Sequence, residues 1–231
     1  EVGQAMLEDK RMPLVSFTGS TAVGRRVGVT VAERFGRTIL ELGGNNAVVL
    51  MEDADLEIAI PSIVFGAAGL AGQRCTSTRR VLVHESIADA VEERLIRAYG
   101  QVKIGDPSEE STLCGPLVDA GAVEAMDKAL ASVQAEGGEV IHGGGAATGA
   151  DLAEGGNYVN PAIVRAENHY ETVQEETFAP ILYIIRVKDL DDAIAKHKNR
   201  PPFKVWGNDI CMKLGQAKPT TQGELRKALG D

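Results

Sequence analysis

The chain has 231 residues, with 24 Lys and Arg against 33 Asp and Glu, a formal net charge of −9. Its 44% hydrophobic and 25% charged residues are ordinary for a globular protein and exclude disorder, collagen and a disulfide scaffold. The acidity argues against nucleic acid or an anionic membrane as the main partner, and no apolar run reaches the roughly 20 residues that span a bilayer. The opening Glu1-Val2-Gly3-Gln4 has no basic segment followed by an apolar one, so no secretory signal is expected there.

Val15-Ser16-Phe17 reads as a short strand that ends in Thr18-Gly19-Ser20-Thr21. A helix is expected next, with Val23, Val27, Val31 and Phe35 four apart on one stripe and Gly36 at its C-cap. Thr38 to Leu42 is a strand closed by Gly43-Gly44. Ala47-Val48-Val49-Leu50, apolar throughout, reads as a strand buried on both faces. Asp55 to Ala71 has a helical pattern through Leu56, Ala59, Ile60, Ile63, Val64 and Ala67, weakened by Pro61. A loop, Gly72-Gln73-Arg74-Cys75, leads to the strand Arg80 to His84. Ser86 is placed to cap a helix that buries Ile87, Ala90, Val91, Leu95 and Ala98. A helix over Ala120 to Ala135 and a strand at Glu139 to Ile141 follow, then Gly143-Gly144-Gly145. Tyr158 to Val164 reads as a strand with Pro161 at an edge or bulge, Phe178 to Ile185 leads into another, and Leu190 begins a helix. Strands alternating with helices predict an α/β fold with a parallel sheet.

Three cysteines, Cys75, Cys114 and Cys211, are too few and too scattered for a disulfide framework. The four histidines are not spaced as ligands, so no metal is expected. A reducing, intracellular compartment (cytoplasm or mitochondrion) fits this usage. Cys75 sits in a loop beside Arg74, where a thiol can face a cleft and a guanidinium favours thiolate, although cysteine is by type a small core residue. Glu41 is a carboxylate in an apolar strand. It either reaches water at the strand end or sits buried as a general base. Phe17 to Gly24 puts glycines and hydroxyls where a strand turns into a helix, a place that attracts phosphate but also looks like any Ser/Thr cap. Glu175-Glu176-Thr177-Phe178-Ala179-Pro180 offers carboxylates to ribose hydroxyls and an aromatic to a flat ring, or else is a solvated turn before a core Phe.

Taken together, Phe17-Thr18-Gly19-Ser20, Glu41-Leu42-Gly43-Gly44, Gly72-Gln73-Arg74-Cys75 and Glu176-Thr177-Phe178-Ala179-Pro180 resemble the aldehyde dehydrogenase superfamily, in its motif order. The 34-residue interval from Glu41 to Cys75 fits as well. Asn45-Asn46, Gln73-Arg74 and Phe178-Ala179-Pro180 resemble its aminoadipate-semialdehyde dehydrogenase branch. The resemblance implies a Rossmann-like layered α/β fold and an NAD cofactor. It implies Cys75 as nucleophile and Glu41 as the base that activates water. Gly19, Ser20, Gly24 and Leu42 would lie on the nucleotide side, Glu176 would hold the nicotinamide ribose and Phe178 would pack near the nicotinamide. Arg74 would meet the amino-acid end of a small aldehyde substrate. The family is homo-oligomeric.

By the same resemblance, residues 1–43 are the remainder of an NAD-binding domain, 44–196 are catalytic, and 197–231 are a divergent, poorly ordered tail with a helix candidate at Gln222 to Leu229. The family's portion ahead of Phe17, with an oxyanion Asn and a phosphate-side Lys, has no counterpart here, and the end reads as frameshifted. The chain is therefore expected to be an incomplete piece without turnover of its own. Two other readings stay open: a non-catalytic remnant or interaction module, and a thiol acyltransferase or esterase using Cys75 and Glu41 without NAD.

Overall fold

The computed structural model describes residues 1–149, 152–198 and 211–213. The chain opens with α1 (Val2–Glu8), β1 (Leu14–Thr18), α2 (Thr21–Glu33) and β2 (Arg37–Glu41). Then come β3 (Ala47–Leu50), α3 (Leu56–Ala68), a 3-10 turn (Gly69–Gly72), β4 (Arg80–His84) and α4 (Ala88–Tyr99). The remainder is α5 (Ala120–Ala135), β5 (Glu139–His142), β6 (Ala162–Arg165), α6 (Glu171–Gln174), β7 (Ile181–Val187), α7 (Leu190–Lys198) and β8 (Cys211–Lys213).

Two sheets result. β1 and β2 pair in parallel as a two-stranded sheet, and the other six run in the order β5-β6-β7-β4-β3-β8, parallel except for β5 against β6. The larger sheet is covered on both faces. Alternation along β3 sends Ala47 and Val49 into one core with Leu82, Ile185, Met126 and Leu130, where α5 packs. It sends Val48 and Leu50 into the other, with Val81, Ile63 and Leu95, where α3 and α4 pack. That is why β3 is apolar at every position. The smaller sheet has a modest core of Leu7, Val27 and Val31, with Val15, Phe17 and Leu40 half-buried against it.

Local signals explain most boundaries. Ser20, Asp55 and Asp119 cap α2, α3 and α5 by accepting from Val23, Glu57 and Ala122 N–H groups. α3 runs through Pro61, whose missing donor falls on the exposed side. Three expectations need correcting. Phe35 does not continue the stripe of α2: the helix ends at Glu33 and Phe35 takes a left-handed φ of 61°, 97% exposed. Its N–H bonds Ala32 O at 2.9 Å while Gly36 N–H bonds Val31 O at 3.0 Å, the paired closure of a Schellman turn. Ser86 caps nothing, because its hydroxyl pairs with His84 Nδ1 at 2.8 Å and α4 starts only at Ala88, leaving Ala90 exposed. The strand expected from Tyr158 begins after Pro161, at Ala162. Within the expected tail, His197 lies buried in α7 and Cys211–Lys213 form β8 beside β3. The other residues expected there, Gln222 to Leu229 included, lie outside the described residues.

Candidate active site

Every residue singled out from the sequence lies in a segment leaving the C-terminal ends of β1 and β2 or entering β4 and β7. Gly19 and Ser20 follow β1, Gly24 is in the first turns of α2, Glu41 closes β2 and Leu42 follows it. Arg74 and Cys75 precede β4, and Glu176 and Phe178 precede β7. Ligands in open α/β sheets usually sit at the carboxyl ends of strands. Here the small sheet offers that end and the large sheet offers the opposite one. The segment 42–46 joins the two.

The loop that carries Cys75 has an unusual backbone. Leu70, Ala71 and Gly72 all take left-handed φ values, 52°, 52° and 67°, although only one is glycine. Such residues cost roughly 1–2 kcal/mol each without glycine, so something must hold them. Leu70 N–H bonds Leu113 O at 3.3 Å, and the Gln73 side chain donates to Pro116 O at 3.2 Å while accepting from Val118 N–H at 2.9 Å. Gly72 has a second constraint, since a Cβ there would stand 2.5 Å from Ala179 O. The turn leaves Cys75 exposed, with its carbonyl accepting from Asn46 Nδ2 at 2.7 Å.

Asn46 is the joint of the site. It is buried, its amide also donates to Ser77 O at 3.0 Å, and its carbonyl accepts from the N–H groups of Arg79 and Arg80 at 3.1 and 3.0 Å. The segment following Glu41 is thereby bound to the segment following Cys75. Glu41 itself is exposed at the end of β2, and its carbonyl accepts from Gly19 N–H at 3.0 Å. Glu41 is thus open to water at the strand end.

The remaining candidates fall into two groups. Leu42 lies against Gly24, where a Cβ would collide with it, and both line a cavity of about 290 Å³ with Thr21, Arg25, Gly28 and Leu40. Glu176 Oε2 occupies the space that a Cβ on Gly43 would need, near Thr21 Oγ1, so the ribose candidate stands beside the start of α2. Phe178 is 45% exposed rather than a core Phe. Arg74 turns back along α3, with Nη2 donating to Phe65 O at 3.3 Å and its guanidinium 4.8 Å from the Phe65 ring centroid. It thus sits on the C-terminal carbonyls of the helix, a favourable place for a cation.

Sequence reasoning missed Gln73, Asn46, Arg79 and Arg80 as framework residues. Arg80 is fully buried and donates to Asn45 O at 2.7 and 3.1 Å and to Asn168 Oδ1 at 2.9 Å. The available signal was a pair of arginines heading an otherwise apolar strand. Such charges are buried only when held by partners. Cys114 differs sharply from Cys75: it is buried, and burial pushes its thiol up to about 11. Among the described residues no group of three His, Cys, Asp or Glu could hold a metal, and no helix is long and apolar enough to cross a membrane.

Known proteins are similar to this chain. The chain is 48% identical over 230 residues to a family 7 member A1 aldehyde dehydrogenase homolog of Dictyostelium discoideum, covering 99% of this chain and 42% of that protein. It is 45% identical over 218 residues to the alpha-aminoadipic semialdehyde dehydrogenase of Bos taurus, covering 94% and 38%. The betaine aldehyde dehydrogenase of Staphylococcus aureus, solved in complex with NAD+, superposes with a TM-score of 0.89 at 27% identity, over 99% of this chain and 44% of that one. The chain thus spans about two-fifths of the length of the curated relatives it matches. The pattern of the aldehyde dehydrogenase family covers residues 1–203. With the family's sequence pattern, its relatives and its fold in agreement, the chain belongs to the aldehyde dehydrogenase family.

Proposed function

We propose that the protein carrying this chain oxidises an aldehyde to the carboxylic acid with NAD, and that Cys75 and Glu41 do the covalent and proton work. The observation that carries this reading is an exposed Cys75, on a loop whose residues 70–72 take left-handed φ, bound through the buried Asn46 to the segment that follows Glu41. Residues 1–43 belong in this reading to an NAD-binding domain and 44–196 to a catalytic domain.

The donor set suits a dinucleotide. Glu176 is a carboxylate fixed by Arg79 at 3.2 Å, with lone pairs left to accept from a vicinal diol. Phe178 offers a half-exposed flat face beside it. Gly19, Ser20 and Gly24 open α2, whose first N–H groups favour an anion, and Leu42 with Gly24 forms an apolar wall next to it. NAD supplies the hydride acceptor when bound. Cys75 Sγ adds to the aldehyde carbon and forms a thiohemiacetal, which oxidation converts into a thioester on the same sulfur. Glu41 takes a proton from the water that attacks the thioester carbonyl, and the acid leaves with Cys75 restored.

The relatives' names favour α-aminoadipic semialdehyde as substrate. Arg74, beside Cys75, is the group for its carboxylate, on exchanging its contact with Phe65 O. Homo-oligomerisation and an intracellular setting belong to the same proposal. The test is NADH formation by the whole protein that carries this chain, with this semialdehyde and with simple aliphatic aldehydes, in wild type and Cys75→Ala. The reading expects semialdehyde-dependent NADH that Cys75→Ala abolishes. Undiminished NADH formation in that variant would overturn the assignment.

A further inference from the structure

Arg79 is a buried cation between two of the segments that the proposed function needs. Its side chain is 3% exposed. Nη1 donates to Thr177 O at 2.7 Å, and Nη2 lies 3.2 Å from Glu176 Oε1. Nη2 also reaches Gly72 O and Arg74 O, both at 3.3 Å, and the guanidinium stands 5.2 Å from the Phe178 ring centroid. One planar group therefore grips the residues on either side of Gln73 and the three residues 176–178. Burial pushes the guanidinium below its ordinary range and the Glu176 carboxylate opposes that shift. Arginine stays charged through such shifts.

The neighbouring Arg80 shows that this is not one undivided cluster. Successive residues of a strand point to opposite faces, and Arg80 reaches Asn45 and Asn168, whereas Arg79 reaches the 72–74 and 176–178 segments. Burying a charge is unfavourable unless partners compensate, and an apolar side chain of similar size would avoid that penalty. What an apolar residue could not do is hold two carbonyls of the nucleophile loop and the Glu176 carboxylate at fixed separation. A lysine could not do it fully either, being a point charge rather than a fork.

We infer that Arg79 is a positioning residue: it sets Glu176 and Phe178 in register with the loop that carries Cys75, so that one guanidinium governs both the grip on the cofactor ribose and the placement of the thiol. This rests on the reading of the site as an NAD-dependent aldehyde dehydrogenase. Arg79 touches no reacting atom in it. Its removal should therefore act through Glu176 on cofactor affinity and through the Gly72 and Arg74 carbonyls on the thiol.

The experiment uses the whole protein that carries this chain and measures the NAD dissociation constant by calorimetry for wild type, Arg79→Met, Arg79→Lys, Glu176→Gln and the Arg79→Met/Glu176→Gln double variant. The alkylation rate of Cys75 by iodoacetamide is measured without NAD on the same proteins. Arg79→Met should weaken NAD by about 10–100-fold, the span of one hydrogen bond to a charged group, and Arg79→Lys should recover part of that. In the Glu176→Gln background the same substitution should cost much less, because its partner is already altered. Cofactor-free alkylation of Cys75 should change several-fold in Arg79→Met and stay at the wild-type rate in Glu176→Gln. Equal NAD losses in both backgrounds, or complete rescue by lysine, would overturn the inference. If Arg79→Met does not fold, Arg79→Lys against Glu176→Gln gives the same coupling test. Wild-type protein that binds no NAD would overturn the proposed function and this inference with it, whereas wild-type binding without coupling overturns this inference alone.

Discussion

The two sheets are built to different standards. The six-stranded sheet is sealed on both faces, and its strands β3, β4 and β7 are buried along nearly their whole length. The two-stranded sheet alternates exposed and half-buried residues and rests on three buried side chains, Leu7, Val27 and Val31. Neither core contains a candidate functional residue. Several of the candidates are held instead by polar bonds at one edge of the large sheet, where its strands begin, Asn46 to Cys75 and Arg79 to Glu176. Stability thus resides in the cores of the large sheet, while the candidate residues depend on the polar bonds at its edge.

That contrast can be broken by substitution. Leu82→Ala, in the fully buried centre of β4, should destabilise by about 2–5 kcal/mol. Val27→Ala, in the small core, should cost only about 1–2 kcal/mol, the transfer free energy of two methyl groups. Hydrogen exchange should then show β1 and β2 amides opening without β4 and β7. Equal losses from the two substitutions, with uniform exchange, would show one cooperative core.

The cysteines sharpen the same contrast. Cys114 belongs to the large core, and its pKa is about 11 folded against 9.0 ordinarily. A group raised on folding stabilises fully below its unfolded value and loses that contribution as pH rises through the folded one. Stability should therefore fall between pH 9 and 11 by up to about 2–3 kcal/mol more in wild type than in Cys114→Val. Chemical denaturation across that range checks it. Limiting iodoacetamide near neutral pH should label Cys75 and spare Cys114.

The smallest expected effect is at the edge of the small sheet. Phe35 holds a left-handed C′ position usually given to glycine, with its ring in water. Phe35→Gly should raise the stability of that region by about 1 kcal/mol, less the entropy glycine adds to the unfolded chain. A loss on thermal unfolding would mean that the ring has a partner that matters.

How far the sequence disclosed this follows from the range of each signal. α5 was legible to its boundaries because apolar spacing and an Asp cap are local. The candidate residues were legible as segments because glycines and carboxylates stand out in apolar surroundings. Phe35 misled because its spacing continued a stripe that the Schellman turn had already closed. Ser86 misled because a histidine two residues earlier took its hydroxyl. The framework roles of Arg79 and Asn46 went unread because their partners Glu176 and Cys75 lie 97 and 29 residues away. No local pattern encodes such pairing.

The central claim is that Cys75 carries the acyl group and Glu41 acts afterwards, on water. The most direct measurement mixes Glu41→Gln protein with NAD and α-aminoadipic semialdehyde, follows NADH, quenches in acid and maps the adduct by mass spectrometry. A burst of NADH and an acyl group on Cys75 are expected, with steady turnover lower by about 10²–10⁴-fold, as for loss of a general base. Burst and turnover vanishing together, or an acyl group on any other residue, would contradict it.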